Sequence, residues 1–171
     1  YHEQLAFFQQ EWPRLRSALK DGGTDLLHDV VRSYEDPLQR RVIFLQLRQH
    51  IREDLDSLGG MDTLVTVAEI GIEEMLSQAK ESPPEARASR MNLANIISYN
   101  LSADLSIAQV DDDGCRTIDQ LERGLKAAED CLKWRKELDK PALAFARAWW
   151  VKGVHELALN RYGAAVISLE H

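Results

Sequence analysis

Residues 36–60 read DPLQRRVIFLQLRQHIREDLDSLGG, and their pattern decides the fold class. Asp36 and Pro37 form a helix opening: an acid suited to the N-cap, then a proline where a missing backbone N–H costs nothing. Ile43, Leu47, Ile51, Leu55 and Leu58 recur at steps of four and three, which lines one side of a 3.6-residue helix. Gly59-Gly60 supplies the stop.

The same grammar repeats on both sides of this stretch, and strand-like alternation is almost absent. Upstream, Leu5, Phe8, Trp12, Leu15 and Leu19 predict a helix over about 2–20, with a kink or restart at Pro13 because proline removes an internal hydrogen bond. Asp21-Gly22-Gly23 is read as its end, and Thr24 as the cap of a shorter helix to about Tyr34. Downstream, Asp62 is read as the cap of a helix carrying Leu64, Ala68, Ile72, Met75 and Ala79. Ser82-Pro83-Pro84 is the clearest break, since the residue before each proline is pushed toward extended backbone. A fifth helix is expected over about 85–109 (Leu93, Ile97, Leu101, Leu105, Ala108), a turn at Asp111-Asp112-Asp113-Gly114, and a sixth over about 116–138 (Leu121, Leu125, Ala128, Leu132). Pro141 opens a seventh, and Asn160-Arg161-Tyr162-Gly163 leads into a truncated eighth. The expected fold class is all-α, about seven to eight helices joined by short loops that favour antiparallel neighbours. The expected division is 1–82, 83–168, and 169–171 as the remnant of a histidine tag.

Composition narrows the function classes. A chain of 171 residues with 44% hydrophobic content can build a core without covalent staples. Cys115 and Cys131, if on one helix, stand roughly 24 Å apart at about 1.5 Å per residue, too far to pair, so reduced thiols and a cytoplasmic setting are expected. The net charge of −7, with Lys and Arg interspersed among acids, argues against a nucleic-acid partner. No apolar run approaches the roughly 18–20 residues of a membrane span, and the opening Tyr1-His2-Glu3-Gln4 has no signal-peptide pattern. A start without Met leads us to expect that some native residues precede it.

The C-terminal half carries a repeat-like pattern. It reads Trp149-x-x-Lys152-Gly153, then Tyr162 and Ala165, after a helix with Gly124-Leu125-x-x-Ala128-x-x-Cys131-Leu132 and Pro141 near its end. This resembles a tetratricopeptide repeat (TPR), whose helix pair carries a large residue, a small one four later, an aromatic before the second helix and a small residue three beyond it. Small residues such as Gly153 and Ala165 let two helices approach, while Trp149 and Tyr162 fill the space around the crossing. Gly124 and Ala165 lie 41 positions apart where the family period is 34, so helices lengthened by about two turns in total are expected. The resemblance covers about 85–168 and implies antiparallel pairs stacked as a TPR-like right-handed superhelix. The competing arrangement is an irregular bundle in which small residues merely permit close packing. The first half has helical hairpins without the motif residues.

Signatures of catalysis and metal binding fail on spacing. His155-Glu156 begins a zinc-protease motif, but Leu159 stands where the second imidazole is needed; His2-Glu3 fails likewise at Ala6. Aligning Gly114 to a calcium loop puts Gln109 at the first ligand position and Gln120 at the twelfth, where a bidentate Glu is required. Gly22-Gly23 and Gly59-Gly60 lack the Lys-Ser/Thr of a phosphate loop, and neither cysteine has a histidine nearby in sequence. No metal, no cofactor and no catalytic residue is expected.

A polar stripe remains on the fifth helix: Asn92, Asn95, Tyr99 and Ser102, at steps of three, four and three. In the TPR family the first helix of each repeat lines a concave groove. If Ala94 and Ser98 take the large and small places, the resemblance puts these four residues on the groove, where Asn side chains can hydrogen-bond a peptide backbone. The same mapping nominates Arg147, Trp150, Val154 and Leu157 on the seventh helix. The plainer alternative is that the Asn and Ser side chains are solvated and both tryptophans are core. The expected function is a non-catalytic interaction module whose partner is a protein or peptide segment. The alternatives are a structural bundle that forms a homodimer through the stripe, and an enzyme in which His155 meets a carboxylate from another helix.

Overall fold

In the computed structural model, which describes residues 2–106 and 116–171, the chain is all-helical, with no strand among the described residues. The α-helices are α1 (His2–Arg32), α2 (Pro37–Glu53), α3 (Gly60–Glu81), α4 (Pro84–Leu105), α5 (Ile118–Glu137), α6 (Ala142–Ala158) and α7 (Tyr162–Leu169), with a 3-10 turn at Asp56–Leu58. The chain divides into two compact units, residues 1–81 and 82–171. Ala108, Gln109, the Asp111–Gly114 turn and Cys115 lie outside the described residues.

Local chemistry accounts for the start of α2 and of α5. The Asp36 carboxylate accepts the Leu38 N–H at 2.8 Å with Pro37 in the first turn, satisfying an otherwise orphaned donor. Thr117 and Gln120 cap α5 reciprocally, each side chain accepting the other's backbone N–H. α2 stops at Glu53, short of the expected Leu58: Asp54 leaves helical geometry and its carboxylate pairs with Arg16 of α1 at 2.5 Å. Pro13 does not interrupt α1. The break falls at Gly23, whose φ of 65° and ψ of −154° lie in a region that is essentially glycine-only. Gly23→Ala is therefore expected to cost the N-terminal unit about 1–2 kcal/mol, read as a lower urea midpoint with unchanged slope.

In the first unit the three helices bury Phe8, Leu15, Leu27, Ile43, Leu47, Ile51, Leu64 and Met75 almost completely. Arg40 of α2 pairs with Glu74 of α3 at 2.7 Å, and Gln78 joins the same link by accepting from Arg41. Desolvation raises the Glu74 carboxyl, but Gln78 and Arg40 outweigh it and hold the group below its ordinary range.

In the second unit each helix packs on its predecessor. The contacts of α4 on α5 descend as α4 ascends, from Asn95 with Cys131 through Ser98 with Ala127 to Ser102 with Gly124, so the two helices run antiparallel. α5 and α6 do the same, from Gly124 beside His155 to Arg135 at the Ala144 carbonyl. His155 also reaches Ser102, which brings α4 and α6 together over α5.

Candidate functional site

The face of α4 that packs is built from small and polar residues. Ser98 and Ser102 are fully buried and donate to the Ala127 and Gly124 carbonyls of α5, both at 2.8 Å. Each hydroxyl is satisfied by a backbone oxygen, and short side chains opposite Gly124 and Ala127 let the helices close together. Ser102 thus belongs to a helix contact rather than to a groove, which corrects the sequence expectation.

Asn95 is corrected in the same way. It is buried, and its side-chain oxygen accepts from Cys131 Sγ at 3.0 Å and from Arg135 Nε at 3.1 Å. The Arg135 guanidinium also donates to the Ala144 carbonyl and lies 4.7 Å over the Tyr99 ring. A buried cation is thereby paired with oxygens and a π face, tying α4, α5 and the start of α6 together. Burial pushes the Cys131 thiol up to about 11, with Arg135 opposing, so it is a protonated donor and not a nucleophile at neutral pH. Asn92 is half-buried beside this network, and the exposed positions of α4 nearest to it are Ser89 and Ile96.

His155 is fully buried where α4, α5 and α6 meet. Its Nε2 lies 2.9 Å from the Ser102 carbonyl oxygen, so that nitrogen carries the proton and donates, while Nδ1 has no hydrogen-bond partner among the described residues. Among the described residues no carboxylate is hydrogen-bonded to the ring. Burial holds its pKa below the ordinary histidine value, with the Ser102 contact working the other way. The unfolded chain takes up the proton more readily, so stability is complete above about pH 6.5 and declines as pH falls toward the folded pKa. Between pH 7.5 and pH 5.5 the C-terminal unit is expected to lose stability, a slope absent from His155→Gln, as read by urea unfolding at the two pH values. Asp54 and Glu74, whose pKa values are lowered, act in a separate window below the ordinary carboxylate range.

α6 turns a largely apolar side to solvent. Leu143, Trp150 and Leu157 are 64%, 47% and 46% exposed, Arg147 is exposed and Val154 is half-buried between them. Arg147, Trp150, Val154 and Leu157 therefore lie on one open side. Leu143 extends the stripe by one heptad from Trp150, a spacing visible in the sequence that a mapping begun at Arg147 passes over. Arg147 has no ion-pair partner among the described residues, whereas the other cation of α6, Lys152, is paired inward.

Beside this stripe, α6 and α7 enclose an open recess of about 380 Å³ lined by Ala146, Arg147, Trp149, Trp150, Ser168 and Leu169, with His171 stacked on Trp149. Ser168 of this lining also belongs to a closed polar cluster. Lys152 binds Glu156 and reaches Ser168 Oγ at 3.1 Å, and that hydroxyl donates to the other Glu156 oxygen at 2.6 Å. Ser168 and Glu156 are buried and mutually satisfied, so the cluster fastens α7 to α6. Among the described residues no group of three or more His, Cys, Asp or Glu is placed to hold a metal ion, and no helix is long and apolar enough to cross a membrane. Comparison with protein-family models, with curated proteins and with solved structures finds no match.

Proposed function

We propose that the C-terminal unit is a non-catalytic protein-interaction module of tetratricopeptide-like helix pairs, which holds a protein or peptide segment against the open side of α6. The observation that carries this reading is the row Leu143, Arg147, Trp150, Val154 and Leu157, an apolar stripe with a single unpaired cation on an otherwise well-packed helix. Tryptophan and arginine are the residue types that most often dominate binding energy. The α4–α6 contact through Ser102 and His155 supports the stacked-pair arrangement, and the buried free thiol of Cys131 suits a reducing cytoplasm. A nucleic-acid partner is disfavoured by the acidic balance of the chain.

Against peptides selected on the whole chain from a displayed library, Trp150→Ala is expected to weaken binding at least about tenfold with the helical circular-dichroism signal unchanged. Equal affinity in wild type and variant would remove α6 from the contact. A second reading, self-association, is favoured by α7: it has no charged residue, and Tyr162, Val166 and Ile167 are each more than half exposed. Sedimentation equilibrium over a range of concentrations separates the two readings.

A further inference from the structure

We propose that the segment held on α6 is a single amphipathic α-helix bearing one carboxylate that meets Arg147. This rests on the reading of the C-terminal unit as a binding module and names the chemistry of its partner. Leu143, Arg147, Trp150 and Leu157, which are exposed, and Val154, half-buried between them, are spaced four, three, four and three apart in chain order. That alternation is the seam one helix presents to another, with four apolar positions and one charged position that sets register.

The seam also discriminates among occupants. An extended peptide needs hydrogen-bond partners for its own N–H and C=O groups, and the side chains of this stripe offer two donors, the Arg147 guanidinium and the Trp150 indole N–H, and no acceptor, because the backbone groups of α6 are spent within the helix. A helical partner satisfies its backbone internally and brings only side chains. A second copy of α6 fits less well, since its seam holds Leu, Arg, Trp, Val and Leu and no acid. Each Arg147 would then be covered by apolar surface without a counter-charge, which is costly for a guanidinium. A partner acid converts that cost into a charge-assisted, bidentate contact.

The test displays two libraries against the full chain, one of helices about three heptads long with the seam positions randomised, the other of linear extended peptides. Selected helices are expected to carry Asp or Glu at one seam position and apolar residues at the others. A synthesised winner is expected to bind Arg147→Gln at least about tenfold more weakly, and Arg147→Glu is expected to prefer the same helix with Lys in place of its acid. Helices selected with no acidic preference, or indifferent to Arg147→Gln, overturn the partner chemistry while the binding module stands. Enrichment confined to linear peptides that depend on Trp150 overturns the helical partner alone. Failure of both libraries overturns the module and the inference together. A dimer in sedimentation equilibrium that Trp150→Ala dissociates assigns the seam to a second copy and also overturns the inference.

Discussion

Lys152→Met is expected to destabilise the C-terminal unit by roughly 3–5 kcal/mol, followed as a shift of the urea transition in tryptophan fluorescence. Lys152 binds the buried Glu156 carboxylate and lies 3.1 Å from Ser168 Oγ, with its ammonium 5.6 Å over the Trp149 ring. Methionine keeps the unbranched side chain to within one atom of its length and removes the charge. Glu156 is then left in the α6–α7 contact with the Ser168 hydroxyl as its remaining partner among these groups, and the loss reflects a stranded charge more than a missing contact. The double variant Lys152→Met/Glu156→Leu removes both charges and is expected to recover to within about 2 kcal/mol of wild type, because a paired charge replaced as a unit by apolar groups costs little. The Ser168 hydroxyl can then turn to a carbonyl of its own helix. A single variant within about 1 kcal/mol of wild type would show that the cluster does not hold α7.

Gly124→Val is expected to cost the same unit about 3 kcal/mol, despite glycine being the poorest non-proline residue for a helix interior. A Cβ at this position would stand 2.5 Å from His155 Nε2 and 2.9 Å from Nδ1, and closer still to Cε1. The ring is fully buried and hydrogen-bonded to Ser102, so accommodating the new side chain means moving the imidazole off that carbonyl. Overpacking of roughly 1–3 kcal/mol and a lost hydrogen bond of about 1 kcal/mol outweigh the gain of less than about 1 kcal/mol in helix propensity. His155→Ala empties the space that the valine needs. The double variant Gly124→Val/His155→Ala should therefore be clearly more stable than the sum of the two single losses, and strict additivity would contradict the fit of ring against glycine.

Helix existence was legible because the apolar period along α2 and α3 is regular and the opening of α2 is residue-specific, with Asp36 at the N-cap and Pro37 in the first turn. The end of α2 was less so. Leu55 and Leu58 continue the period, but Asp54 leaves the helix and pairs with Arg16 from another helix, a contact that periodicity does not encode. The candidate site divided in the same way. Trp150 and Arg147 are large residues on a helix whose other sides are filled, and their spacing with Leu157 places them together on one face. The expectation that Asn95 and Ser102 line a groove rests on the tetratricopeptide mapping from Ala94 and Ser98, which takes no account of what packs against α4. Here a cysteine thiol, an arginine and a backbone carbonyl occupy those hydrogen bonds inside the α4–α5 contact.

The amino-acid order alone settles that this chain is all-helical and where most helices begin, because period and capping are properties of neighbours within a few residues of one another. Which side of α4 is covered was not written there, since small residues and serines can line a tight helix contact or a solvated surface equally well. That was decided by what stands opposite in space: Gly124 leaves room for His155, the Ala127 and Gly124 carbonyls accept the serines, and Arg135 reaches across to Asn95. The same assembly leaves Leu143, Trp150 and Leu157 on one side of α6 exposed to solvent, which the period of the helix alone does not decide.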